Sequence, residues 1–515
     1  MAGRKKKNLI TLLSLFAVMV FLIGTYGYLA YFKENQANQD SADVTAETTT
    51  LATLETDKIE SVYFSNPDST MTLLKDVEKG WMYKEEPSFP VNQTFAENMK
   101  AAFSNITSTM TVATDVNDLS EYGLKEPVIQ VVVTLEDQTS ISIALGYEAP
   151  ITGGYYATVN GEKTVYIVSS TFYDNFNKSR KEIMAVENIP TMSADTITHL
   201  VVGNQEEGTL ELNYEEDNYD YTGNTRWFIV QPYETPVAAD ATAVTELLNN
   251  YIGMTFDSAV DYDVTDLTQY GLDQPVALIS LDYYEEVEQT VDELESETEG
   301  TKATLEAESE TEGTDAATRS EPTTEKVYKS FELLIGSTDE EGNYYVKSSD
   351  SSRVHLMSAD TIESLIHVNP YSVAYENVSM INIDTVDKVV LETKDATTTM
   401  SINRKVEKVK NEETGEEEEN IVKTYEINGK EADEDTFIKL YQTVISPSTE
   451  SEIPKDYDTK TSQSPVLSIT FHRNTDTYKT ITIQYLPYDD SYYIININGV
   501  SNFLCDKRKV DEIKN

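Results

Sequence analysis

Asp118-Leu119-Ser120-Glu121-Tyr122-Gly123-Leu124-Lys125-Glu126-Pro127 returns later in the chain as Asp266-Leu267-Thr268-Gln269-Tyr270-Gly271-Leu272-Asp273-Gln274-Pro275. The same features follow each copy in the same order. Two β-patterned runs come first, then Leu145-Gly146 or Ile335-Gly336, then Tyr155-Tyr156 or Tyr344-Tyr345, then Val165-Tyr166 or Val354-His355. Turn residues and aromatics repeated in one order at near-constant spacing mark internal duplication, so the chain is assembled from copies of one unit. The motif residues are Tyr122, Gly123, Leu124, Pro127, Gly146, Tyr155 and Tyr156, with Tyr270, Gly271, Leu272, Pro275, Gly336, Tyr344 and Tyr345 in the second copy. Their expected role is to build the unit. Asp118 and Asp266 should accept local backbone N–H groups ahead of the turn, and Gly123 and Gly271 should supply a positive φ.

Outward from the first cassette, residues 58–64, 70–74, 81–83, 128–135, 140–145, 155–159 and 164–168 read as strands. Each is short, rich in Val, Ile, Tyr and Thr, and bounded by Asp, Gly or Asn-Gly. Loops this short force neighbouring strands to be antiparallel, because a parallel crossover needs about a dozen residues. Asn92 can cap a helix whose apolar face is Phe95, Met99, Ala102 and Phe103, and residues 170–185 read as a closing helix. Together these make module one, residues 57–190.

Module two, 191–376, repeats the order with a strand at 198–202, Trp227-Phe228-Ile229 and a helix at 240–251. Trp81 and Trp227, the two tryptophans of the chain, therefore hold one place in two modules. An insertion at 285–324 is dominated by Glu, Thr, Ser and Ala; it cannot bury enough surface to fold and is expected to be a disordered loop. Module three, 377–515, reads as degenerate. It lacks the Tyr-Gly-Leu turn, carries a second acidic insertion at 411–420 and a helix at 432–444, and pairs Tyr492-Tyr493 and Asn498-Gly499 with Tyr155-Tyr156 and Asn160-Gly161. The fold class is α+β: tandem modules of mainly antiparallel sheet with one or two helices each, behind an N-terminal transmembrane helix.

That helix is read from Arg4, Lys5, Lys6 and Lys7 (basic tail, 1–8) and the uncharged apolar run at 9–32. About 20 apolar residues cross a bilayer, and the basic flank stays cytoplasmic. A cleaved signal peptide is the alternative; Tyr28 disfavours it, standing where cleavage after Ala30 wants a small residue. Both place the bulk outside the cell. Residues 33–56 read as a flexible stalk of about 25 Å span. A net charge of -51 excludes most contact with nucleic acid. The single cysteine, Cys505, leaves no intrachain disulfide; it lies in an apolar strand-like run and reads as a buried, inert thiol.

The Tyr-Gly-Leu-x-x-Pro turn, the Leu/Ile-Gly after two strands and the Tyr-Tyr pair before a Val-Tyr strand, behind an anchor, resemble the bacterial domain-of-unknown-function family 4340. The resemblance covers most of 57–373. It implies association with an ABC-type transporter resembling those assigned to gliding motility, and it carries no catalytic residues.

Chemistry is sparse in the sequence. His199, His355, His367 and His472 fall in no metal-binding spacing. Asp261, Asp263 and Asp266 approach a calcium loop, but the central glycine and terminal glutamate are missing. No nucleophile elbow or phosphate loop occurs, and no cofactor or metal is expected. The leading expectation is a non-enzymatic, single-pass, extracytoplasmic binding or scaffold protein with a protein partner in the envelope. The alternative is a protein that binds cell-wall glycan or peptidoglycan, or hydrolyses it. Its 33 tyrosines could stack on sugars and its carboxylates could supply a glycosidase pair.

Overall fold

Ile129, Val131 and Val133 are fully buried while Gln130 is exposed and Val132 half-buried, the period of two that lays one face of a strand on a core. The computed structural model repeats this alternation through three sheets. It describes residues 48–150, 153–288, 324–410, 417–459 and 463–514. The anchor read at 9–32, the basic tail and most of the insertion at 285–324 lie outside these. Among the described residues no helix is long and apolar enough to cross a membrane. The chain divides into one unit ending at Ala185 and a second beginning at Val186.

The first unit runs β1 (Thr49–Ala52), β2 (Ile59–Ser65), β3 (Thr70–Asp76), β4 (Gly80–Tyr83), α1 (Gln93–Ala101), β5 (Ile106–Ser108), β6 (Met110–Ala113), β7 (Ile129–Leu135), β8 (Ser140–Glu148), β9 (Tyr155–Val159), β10 (Val165–Val168), α2 (Ser170–Asp174) and α3 (Arg180–Ile183). Its main sheet has the order β4-β3-β2-β7-β8-β9-β10-β6, and β1 pairs with β5. The Asn92 side chain caps α1 by accepting from Phe95 N, and the helix buries Ala96 and Met99. Phe95 is only half-buried, so the apolar face is rotated from the one expected.

The second unit holds two sheets. Module two comprises β11 (Ile197–Asn204), β12 (Gly208–Tyr214), β13 (Trp227–Gln231), β14 (Val237–Ala238), α4 (Ala241–Leu248), β15 (Ser258–Asp261), β16 (Ala277–Glu288), β17 (Thr324–Thr338), β18 (Tyr344–Ser348), β19 (Val354–Met357) and α5 (Ala359–Ile366). Module three comprises β20 (Val386–Glu392), β21 (Thr397–Lys410), β22 (Glu417–Ile427), β23 (Lys430–Ala432), α6 (Glu434–Val444), β24 (Ser451–Glu452), β25 (Leu467–Arg473), β26 (Thr480–Pro487), β27 (Tyr492–Ile497), β28 (Val500–Asp506) and α7 (Lys507–Lys514). The orders are β14-β13-β12-β11-β16-β17-β18-β19-β15 and β23-β22-β21-β20-β25-β26-β27-β28-β24. Without the short edge strands β14 and β23, both repeat the first sheet strand for strand, and the named strand pairings are all antiparallel.

Register makes the equivalence residue-specific. Ser61 faces Leu74 and Lys75 faces Trp81; His199 faces Asn213 and Tyr214 faces Trp227; Lys388 faces Ser401 and Ile402 faces Tyr425. Trp81 and Trp227 therefore occupy the same position, and Tyr425 stands there in module three.

Several expectations are corrected. Module three is complete in the topology of its main sheet, although its sequence lacks the Tyr-Gly-Leu turn. Its Tyr-Tyr pair is offset by one residue, because Ile495 faces Tyr485 where Ala157 faces Leu145, which equates Tyr493 with Tyr155 and Ile494 with Tyr156. Thr49–Ala52 of the presumed stalk is a strand, and Leu54 is buried. The closing helix is two short helices. Between them Asn66 Nδ2 donates to the carbonyls of Phe176 and Lys178, at 2.7 and 2.9 Å, which removes them from any helical ladder, and Ser179 with Glu182 starts α3 by a capping box. The insertions are shorter than read, since Glu285–Glu288 pair with Thr324–Val327 and Glu417–Asn420 with Glu407–Lys410.

Modules two and three share apolar contacts. Phe503 of β28 is 4 % exposed within the core of module two, 5.6 Å from the Tyr233 ring and 5.7 Å from that of Tyr371.

Candidate functional site

The motif residues converge on one knot in each of the first two modules. Ser120–Tyr122 and Thr268–Tyr270 each form a single 3-10 turn, closed by Gly123 at φ 67° and Gly271 at φ 64°. Asp118 and Asp266 accept the backbone N–H of Ser120 and Thr268, each at 3.0 Å. Leu124 and Leu272 turn into the core. Pro127 and Pro275 stand two residues before β7 and β16. The turn carbonyl lies directly over the glycine of the next motif: a Cβ on Gly146 would stand 2.0 Å from the Tyr122 oxygen, and one on Gly336 would stand 2.1 Å from the Tyr270 oxygen. Tyr122 meets Tyr156 edge-on at 5.0 Å, and Tyr270 meets Tyr345 at 5.1 Å. Tyr155 stacks on Tyr173 at 3.6 Å, and Tyr344 packs on the module-two core. Burial, and then Asp261 accepting at 2.9 Å, push the Tyr270 hydroxyl up to about 12. These residues are spent on one another, which is a structural use.

A different set of side chains is gathered elsewhere in module two. A groove of about 700 Å³ is walled by Tyr214, Trp227, Tyr284 and Tyr328, with His199 between two carboxylates. His199 Nδ1 lies 3.0 Å from Asp282 and Nε2 lies 3.2 Å from Glu211. Each ring nitrogen thus has its own carboxylate within hydrogen-bond distance. Lys326 lies 3.0 Å from Glu216 and 4.4 Å above the Tyr284 ring, an ion pair joined to a cation–π contact. Tyr328 is 62 % exposed.

The fold does not require this polar set. At the positions of His199, Asp282 and Glu211, register places Ser61, Thr134 and Thr72 in module one, and Lys388, His472 and Thr399 in module three. Both build the same sheet without a carboxylate there. Nothing in the sequence around His199 announces its partners. Asp282 and Glu211 lie 83 and 12 residues away and meet it only through strand register.

His355 and Glu187 are held structurally. His355 is fully buried, stacked on Phe256 at 4.2 Å, with Nε2 3.0 Å from Glu187. Glu187 also accepts from the Ser351 hydroxyl. Burial holds His355 below the ordinary imidazole range, outweighing Glu187. Among the described residues no group of three His, Cys, Asp or Glu is placed to hold a metal ion.

A family model described as a domain of unknown function (DUF4340) matches residues 81–225 and 227–444. The chain belongs to this family. The two DUF4340 matches begin on Trp81 and Trp227, the register-equivalent residues of successive modules, so sequence profile and strand register agree on the repeat. No curated protein and no solved structure matches the chain.

Proposed function

We propose that this DUF4340 chain is a membrane-anchored, extracytoplasmic binding protein, acting as an accessory component of an ABC-type transporter or another envelope complex. The observation that carries the binding half is the module-two groove, where His199 lies between Asp282 and Glu211 at positions that neither sister module fills with a carboxylate. A binding role accounts for a carboxylate pair that the shared sheet does without. The anchoring half rests on the basic residues before the apolar run at 9–32. The transporter half rests on what the family resemblance implies.

The test uses the full chain in its own cells. After alkaline extraction the protein stays with the membrane, and protease added outside digests its modules. Crosslinking in intact membranes followed by purification should recover a transporter subunit. Recovery of no envelope protein would remove the accessory role, and release by alkali would remove the anchor.

A further inference from the structure

We propose that the module-two groove binds an uncharged oligosaccharide. The inference deepens the binding reading above by naming the ligand class, and it rests on that reading only for the claim that the groove has a ligand.

The chemistry of the lining selects the class. Asp195, Glu211, Glu216 and Asp282 face the groove against Lys326 and His199. Four carboxylates against two basic groups repel an anionic ligand. A cationic ligand finds three of the four carboxylates already engaged, because His199 stands between Asp282 and Glu211 and Lys326 on Glu216, with Asp195 alone outside these pairs. What remains are carboxylate lone pairs beyond those used, since each carboxylate offers about four acceptor sites. The complement is a neutral molecule dense in O–H donors. The aromatic walls add the second half of the match. Tyr328 and Tyr284 meet at 6.0 Å at one side, and Tyr214 and Trp227 at 5.4 Å. Tyr328, 62 % exposed, offers an apolar face to the C–H side of a pyranose while its hydroxyl edge stays polar, and Trp227, 7 % exposed, backs the groove from the core. Hydroxyl donors on one side of a ring and C–H groups on the other are the pattern of a saccharide. The groove volume, about 700 Å³, lies in the range of small-ligand sites.

The test titrates the full chain, kept in a detergent without a sugar headgroup, with tetrasaccharides of N-acetylglucosamine, of α-linked glucose and of β-linked glucose. Tetragalacturonate serves as the anionic comparator. Binding is read by calorimetry on the unmodified chain and by Trp227 fluorescence in a Trp81→Phe background. We expect saturable binding of a neutral tetrasaccharide and none of the uronate. Tyr328→Ala should weaken binding about fivefold to tenfold. The triple exchange His199→Ser, Glu211→Thr and Asp282→Thr installs the residues of module one, so it should fold and lose binding. No saturable signal with any neutral sugar at about 10 mM, equal binding of the uronate, or unchanged binding by the folded triple variant would each overturn the proposal. These results are independent of the crosslinking experiment, so a failed sugar site and a failed partner are told apart.

Discussion

The backbone oxygen of Tyr122 sits 2.0 Å from the point where a Cβ on Gly146 would stand, and Tyr270 bears the same relation to Gly336 at 2.1 Å. The turn and the glycine are therefore one device. In module three both are gone together. Register places Leu486 at the position of Gly146, and the sequence just before Pro465 carries no Tyr-Gly-Leu. Gly146→Ala or Gly336→Ala must push a backbone carbonyl aside and should cost about 1–3 kcal/mol in its module, the range of an overpacked core. Gly203→Ala meets nothing nearer than 3.8 Å and should change stability by less than about 0.5 kcal/mol. Thermal unfolding of the three variants checks this; equal stability would mean that the turn does not press on the strand.

His355 gives module two a pH dependence of known sign. Burial lowers its folded pKa beneath the unfolded imidazole value of about 6.5. Its contribution is therefore full above that value and is lost as pH falls through it toward the folded pKa. The same position is Tyr166 in module one and Phe503 in module three, since each faces the equivalent residue of the neighbouring strand. His355→Phe should flatten the decline of melting temperature between about pH 7 and about pH 5. An unchanged decline would place the titrating group elsewhere.

Much of this architecture was legible in the sequence, and the reason is local. Turn glycines, helix caps at Asn92 and Asp240, and the alternation of Val, Ile and Tyr each act within a few residues, so they leave a readable period. Among the strands that escaped reading, β6, β15 and β24 sit at the far edge of each main sheet, where one partner is missing and apolar alternation is weak. The break in the closing helix came from Asn66, more than a hundred residues away. The His199 cluster was hidden for the same reason, because only register brings Asp282 and Glu211 to it.

Phe503 joins two modules into one unit. It belongs to the third sheet but is buried in the core of the second, and close by Tyr233 donates to Glu452 at 2.7 Å while Tyr371 donates to Thr449 at 3.1 Å. Phe503→Ala should cost about 3–5 kcal/mol, the range for a buried phenylalanine. Because the loss falls on the contact rather than on either sheet alone, calorimetry should show the second unit melting in two steps. A single transition shifted downward would mean that the polar contacts alone keep the modules coupled.

Cys505, two residues beyond Phe503 in β28, lies in the core of module three. It faces Tyr493 in the ladder, is fully buried, and its thiol is pushed up to about 12, chiefly by burial. The reactive species is the thiolate, so iodoacetamide at about pH 8 should leave the folded chain unlabelled while the denatured chain labels fully. Cys505→Val installs what register places there in module one, Val168, and should be tolerated within about 1.5 kcal/mol. Since Cys505 and Phe503 share β28 but serve different cores, labelling the Phe503→Ala variant separates two outcomes. Continued protection means that only the joint between modules has opened. Rapid labelling means that β28 is held in its own sheet by the neighbouring module, and that module three requires module two to complete its fold.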